Sequence, residues 1–389
     1  MSESSQAAPR SLFTPFNVIA ALILLLGGGV GLYRFVAGLG ASTNLTHANP
    51  WGLWIGFDVM TGVALAAGGF TISSAVYLFG LKEFKPLVRP AILTGFLGYF
   101  LVVVGLLVDL GRPWRLPYPF VVQAGPTSAL FEIALCVALY LTVLFVEFTP
   151  AAFEWLGWKR WRRLVGALTI ALTIFGLILS TMHQSTLGAM YLITPTKLHP
   201  LWYSPHIPVH FFVSAVVAGL SMVIFESMLS HRVFSDQVEV SHEQHDNMTF
   251  GLAKASCVAL GVYLAIKVVS ISLDYEWALL LTPMGHWYLF EIGGFVILPM
   301  ILFAIGFRER LPSLIRATAL ITVIGVVLNR LNVSIIAFNW ELPAGERYVP
   351  HWMEITVTVA LVTFGVVLFK WIVNRMPILR EHPEWRGEH

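Results

Sequence analysis

Cysteine is scarce: the 389 residues contain two, Cys136 and Cys257, both inside apolar stretches and far apart along the chain. Neither an iron–sulfur nor a zinc ligand pattern can be assembled from them, so the chain is expected to carry no iron–sulfur cluster and no metal. Charge is scarce too. Only 12% of residues are charged and 57% are hydrophobic, whereas soluble domains run near about 25% charged. The solvent is therefore lipid. A net charge of +2, with its basic residues sorted by loop rather than pooled, excludes nucleic acid as a partner. Histidine inside the apolar runs is rare as well: of twelve, only His183 lies clearly within one, with His210 at the mouth of another. A membrane cytochrome b needs two axial histidines at similar depth on facing helices, so no haem is expected. Electrons must then come from a partner subunit.

What is present is a series of apolar runs near the length that crosses a bilayer as a helix. Ten fall near 15–36, 53–79, 87–108, 128–148, 164–185, 208–230, 250–272, 287–306, 313–337 and 354–373. The first is too long for a signal-peptide core and reads as a retained helix. The fold class is an all-α integral membrane protein of about ten transmembrane helices, two four-helix bundles plus flanking helices. Its expected divisions are a tail over 1–14, a first membrane bundle over 15–230, a linker over 231–249, a second bundle over 250–373 and a tail over 374–389. The linker is the most polar stretch, Ser235 to Asn247.

Arg10, the groups Lys82/Lys85/Arg89 and Lys159/Arg160/Arg162/Arg163, then Arg232, Arg308/Arg310/Arg316 and Lys370/Arg375/Arg380/Arg386 fall on one side of the membrane; Arg34, Arg112, Arg115, Lys197 and Arg347 fall on the other. By the positive-inside rule both termini are cytoplasmic. The outer loops carry Trp51, Trp54, Trp114, Tyr118, Trp202 and Tyr203 beside prolines. Such aromatics either anchor the interface or flank a flat aromatic ligand. Gly52, Gly56, Gly62, Ala66 and Gly69 repeat along the second run at spacings that let helix backbones approach, which puts that helix at the centre of a bundle.

Asp58, Asp109, Glu132, Glu147, His183, Glu226, Lys267, Glu291, Arg330 and Glu354 lie where lipid should forbid them. A charge at the bilayer centre costs at least ~2.5 to 3.5 kcal/mol, so each needs a partner, a proton or a function. Glu132 and Glu147 are about 22 Å apart along one helix and project from nearly the same face. Helix direction then places Glu226 at the depth of Glu147, and His183 at the depth of Glu132. Trp51, Trp54 and Asp58 follow a helical spacing of three and four. Depth alone gathers Asp58, Asp109, Arg112, Glu132 and His183 into an outer cluster, with Glu147 and Glu226 as an inner pair.

Quinone turnover suits that layout. It moves two electrons and two protons, so it needs an aromatic slot, donors for two carbonyls and titratable relays to water. Trp51, Trp54, Asp58, Asp109, Arg112 and His183 are the expected quinone contacts, and Glu132, Glu147, His183 and Glu226 the expected proton relay. The plainer readings stand beside this: His183 as a satisfied bundle histidine, Asp109 and Arg112 as an interfacial salt bridge, and Glu132 and Glu147 as interhelical hydrogen-bonding groups. Lys267, Glu291, Arg330 and Glu354 read as structural ion pairs of the second bundle. A proton-coupled transporter would also use intramembrane carboxylates, but no inverted repeat or broken helix is evident.

The stretches Pro50 to Asp58, Val88 to Ala91, Asp109 to Trp114, Leu130 to Glu132, Thr181 to Ser185 and His199 to Trp202 resemble the NrfD/PsrC-type membrane subunits. The Asp-Leu-Gly-Arg-Pro stretch marks the broad family, and Thr-Met-His-Gln-Ser points to its hydrogenase-2 branch, the HybB type. The resemblance covers most of residues 10–375 and weakens after the sixth run. It implies a haem-free bundle in a bacterial inner membrane that binds menaquinone or ubiquinone near the outer face. The implied partners are a ferredoxin-like iron–sulfur subunit joined to the small and large subunits of a nickel–iron hydrogenase, or to a molybdopterin reductase acting on polysulfide, nitrite or a related compound. In that branch Glu132, Glu147, Glu226 and His183 would support proton movement between the quinone and the cytoplasm.

Overall fold

The computed structural model describes residues 14–380. Most of the expected N-terminal tail, including Arg10, and the end of the C-terminal tail, including Arg386, lie outside the described residues. Ten helices are long and apolar enough to span a membrane: Pro15–Ala37, Trp54–Tyr77, Lys82–Asp109, Ala129–Leu156, Lys159–Ile193, Ile207–Val233, His242–Leu273, Pro283–Arg308, Pro312–Ile336 and Trp352–Val373. They are called the first to the tenth helix below. All ten expected runs are helices, because a backbone without water must satisfy its own N–H and C=O groups. The chain is an all-α integral membrane protein, with no strand among the described residues. Proline opens the first, third, sixth, eighth and ninth helices, where its missing N–H costs nothing.

The helices run past the expected ends. The fourth and fifth continue to Leu156 and Ile193, and the seventh already begins at His242. Ser241 caps it by accepting from the Gln244 N–H at 3.2 Å. The connection between the sixth and seventh helices is therefore shorter than the 231–249 linker, because polar residues such as His242, Glu243 and His245 form the first turns of a helix rather than a loop.

The second, third, fourth and fifth helices contact in sequence, and the fifth returns to the second. The sixth to ninth do the same, the ninth returning to the sixth, while the sixth also touches the second and fifth. The first helix packs along the tenth, which lies on the third. The second helix is the most enclosed of the ten. Its small residues explain why: Gly69 faces Gly95 of the third helix with Cα atoms close enough that an added Cβ would sit 3.8 Å from the Gly95 Cα. At Gly219 of the sixth helix a Cβ would fall 2.7 Å from the main-chain atoms of Ala67 and Gly68, so the two backbones touch.

Part of the second helix, Trp54–Thr61, has π geometry, and so do Gly293–Ile297 and Asn332–Ile336. π-segments widen a helix locally and recur at functional positions. The wider turn matters at once for the aromatic motif. Trp54 and Asp58 share a face turned to the tenth helix, the first donating its indole N–H to the Glu354 carbonyl at 3.2 Å and the second accepting from the Thr358 hydroxyl at 2.7 Å. Trp51 precedes the helix and leaves that face. It stacks on Phe338 with ring centroids 5.7 Å apart and meets Tyr191 edge-on at 6.1 Å.

Candidate functional site

The centre of the first ring of helices is His183, which is fully buried. Its Nδ1 lies 2.7 Å from the Leu179 carbonyl, which can only accept, so Nδ1 carries hydrogen. In the neutral ring Nε2 is then an acceptor, and the hydroxyl of Tyr99 on the third helix is bonded to it. Tyr140 of the fourth helix completes an aromatic cage, 4.7 Å from the Tyr99 ring edge-on and 5.9 Å from the imidazole. Gln184 ties the group to the second helix by donating to the Val63 carbonyl at 2.9 Å. Around the cage the Tyr140 hydroxyl, Ser180 Oγ and Gln184 Oε1 are buried without a hydrogen-bond partner of good geometry.

The carboxylates share one device. A threonine hydroxyl from another helix donates to Glu132 from Thr186 at 2.7 Å, to Glu147 from Thr173 at 3.2 Å, to Glu226 from Thr94 at 3.0 Å and to Asp58 from Thr358. None of the four has a cation within ion-pairing distance among the described residues. Glu132 and Glu147 both reach the fifth helix, which confirms that they project from one face of the fourth. Thr186, the partner of Glu132, is one turn from His183, so these two groups do sit at a common depth.

Elsewhere the expected outer cluster divides. Asp58 and Asp109 face the first and tenth helices: Arg34 is buried in the first helix, donates to the Leu110 carbonyl and lies within electrostatic reach of Asp109. Arg34 is thus an interior group rather than the outer-loop residue suggested by its position near a helix end. Asp109 Oδ1 has no hydrogen-bond partner. Arg112 is exposed and forms no ion pair with Asp109, because the chain turns away at Leu110 and aims the guanidinium outward. No hydrogen bond links Asp58, Asp109 or Trp54 to Glu132 or His183.

The second ring corrects the expected ion pairs. Glu291 accepts from three neutral donors, the Trp202 indole at 2.7 Å, Asn329 at 2.6 Å and Asn332 at 2.5 Å. Arg330 donates to Asn329 Oδ1, the Ser214 hydroxyl and the Phe211 carbonyl, and Lys267 lies 5.8 Å from the Tyr263 and Tyr288 rings. Glu354 belongs to neither ring: it caps the tenth helix by accepting from the His351 N–H at 2.8 Å and from Tyr348. Neutral donors and acceptors thus hold Glu291 and Arg330. The ion pair sequence reading missed is Glu154, which takes Arg89 and Arg162 at 2.7 Å each. Tyr99 was also missed. A tyrosine in mid-span is a signal in itself, since a phenol deep in lipid needs a partner for its hydroxyl.

Outside the spans, burial holds His199 below its usual proton affinity. The loop that carries it is pinned to the end of the ninth helix, His199 N–H donating to the Ala337 carbonyl at 2.9 Å and Asn339 N–H to the Lys197 carbonyl at 2.7 Å.

The family described as polysulphide reductase, NrfD, matches residues 41–339. Among curated proteins, a protein of Nitratidesulfovibrio vulgaris is 52% identical over 98% of both chains. The probable Ni/Fe-hydrogenase 2 b-type cytochrome subunit of Escherichia coli is 31% identical over 95% of this chain and 92% of its own. The integral membrane subunit of menaquinone reductase from N. vulgaris is 27% identical over 94% and 92%.

Proposed function

The chain belongs to the NrfD family of oxidoreductase membrane subunits, and from that premise we propose that it is the quinone-reactive subunit of a respiratory complex, most closely of the hydrogenase-2 type. The observation that carries this is the set of three carboxylates, Glu132, Glu147 and Glu226, each held by a threonine and none by a cation. A carboxyl group kept in lipid without a counter-charge is suited to bind and release a proton. Structural carboxylates in the same chain look different, as Glu154 between two arginines illustrates.

In this reading a menaquinone or ubiquinone head group enters from the lipid beside Glu132, which is half-buried. His183 and Tyr99 form the enclosed hydrogen-bonded pair behind it, and Glu147 and Glu226 continue the proton route toward the end that carries both termini, taken as the cytoplasmic side of a bacterial inner membrane. Electrons come from, or go to, an iron–sulfur partner attached to a nickel–iron hydrogenase. The reading keeps the chain haem-free, in support of which both nitrogens of His183 are bonded and His210 lies in the other ring of helices, near Ser270 and Tyr263. A haem would have to displace Tyr99.

Two results test the proposal. Purification of the assembled complex should recover iron–sulfur and hydrogenase subunits, and a menaquinone analogue should quench tryptophan fluorescence of the isolated subunit saturably. A molybdopterin partner would keep the quinone role and move the chain to another branch. Indifference to both menaquinone and ubiquinone analogues would contradict the role itself.

A further inference from the structure

A small cavity lies at the terminus-bearing end of the sixth helix, against the start of the third helix and the C-terminal segment. It offers about 30 Å³ of room for water, enough for one or two molecules. Glu226, Ser227, Ser230 and His231 supply its polar wall; Pro90 and Leu379 are among the apolar residues that close it. Two of the polar groups have an unused atom there. Thr94 occupies Oε2 of Glu226 while Oε1 is buried without a partner, and Nε2 of His231 is buried without one as well.

We propose that His231 is the proton donor and acceptor that connects Glu226 to the aqueous surface through water held in this cavity. The inference rests on the proton route proposed above and extends it by one residue. The transfer is a relay: the Nε2–H bond of the imidazolium breaks as a bridging water accepts that proton, a second O–H of the same water passes to the Glu226 carboxylate, and the neutral ring takes a new proton from bulk water. No electrons move. The reverse sequence delivers a proton outward.

Arg316 sets the two rings of the stack apart. His245 stacks on His231 with centroids 3.9 Å apart and an interplanar angle of 26°, and His242 lies at 6.0 Å. Arg316 donates to Nδ1 of His245 at 2.9 Å and also pairs with Asp246 at 2.6 Å. A guanidinium on Nδ1 keeps His245 neutral, since a protonated nitrogen could not accept. Of the stacked pair, only His231 is then free to carry the proton. The third helix and the C-terminal segment add no charged group to the cavity wall.

The test uses the complex purified through this chain, comparing quinone-linked turnover with dye-linked turnover. His231→Gln should lower the quinone-linked rate by about a hundred-fold, the scale of a lost proton-transfer group, and leave the dye-linked rate unchanged. His231→Ala should recover when millimolar imidazole is added. Leu379→Trp, which fills the cavity and alters no titratable group, should lower the same rate without responding to imidazole. Quinone-linked rates within two-fold of the parent in His231→Gln, or no rescue of His231→Ala, overturn the inference. Glu226→Gln separates the two levels: if it loses turnover while the His231 and Leu379 variants keep theirs, His231 alone is wrongly assigned; if it keeps turnover as well, the proton route itself fails.

Discussion

The hydroxyl of Tyr99 on the third helix is bonded to Nε2 of His183 on the fifth, and the Leu179 carbonyl fixes the tautomer of that ring from its other side. The pair is buried completely. A hydrogen bond formed where water is absent is costly to break on one side only, because the remaining polar atom loses every alternative partner.

Tyr99→Phe should therefore destabilise the protein by about 1 to 3 kcal/mol and lower quinone-linked turnover, since Nε2 loses its partner. His183→Gln should do the same. The double variant should cost less than the sum of the two, as residues that act as a unit do. Thermal unfolding in detergent, followed alongside quinone turnover of the assembled complex, checks both; strictly additive losses would mean that the two side chains act independently.

Glu154 makes the opposite prediction. It lies between Arg89 and Arg162, its side chain fully enclosed. Glu154→Ala removes the anion that Arg89 and Arg162 share and should cost about 3 to 5 kcal/mol of stability. Turnover per assembled complex should be unchanged. A lower unfolding temperature with a normal specific rate is the expected pair of readings.

The contact of the second and sixth helices rests on Gly219. A methyl group there would meet main-chain atoms of Ala67 and Gly68 at 2.7 Å, and backbone cannot rotate out of the way as a side chain can. Gly219→Ala should destabilise by about 1 to 3 kcal/mol through overpacking. Gly29→Ala, at a position with nothing within 4 Å, should leave stability unchanged and serves as the control.

The helices were legible in the sequence because lipid imposes one requirement on every residue of a span: apolar side chains outside and a closed backbone ladder inside. The common face of Glu132 and Glu147 was legible too, since it needs only helical periodicity. Lateral position was not. Asp58 and Asp109 are expected at the depth of Glu132, yet they turn toward the first and tenth helices, and depth contains no information about which neighbour a helix chooses. The π-turn at Trp54–Thr61 and the start of that helix after Trp51 broke the expected alignment of Trp51, Trp54 and Asp58. The threonines that hold the carboxylates were hidden for another reason. Threonine is common in apolar spans and usually bonds its own helix, as Thr71 does to Ala67, so Thr94, Thr173 and Thr186 carry no mark until the partner helix is in place.

The threonine-held carboxylates bear the central claim, and glutamine tests them with least disturbance because its carbonyl still accepts the threonine hydrogen. The decisive quantity is the ratio of quinone-linked to dye-linked turnover in Glu132→Gln and Glu147→Gln, measured in the intact complex. The account predicts that the ratio falls by at least about a hundred-fold, as for loss of a general acid–base group, with unfolding temperatures unchanged. A ratio equal to that of the parent in both variants would contradict it.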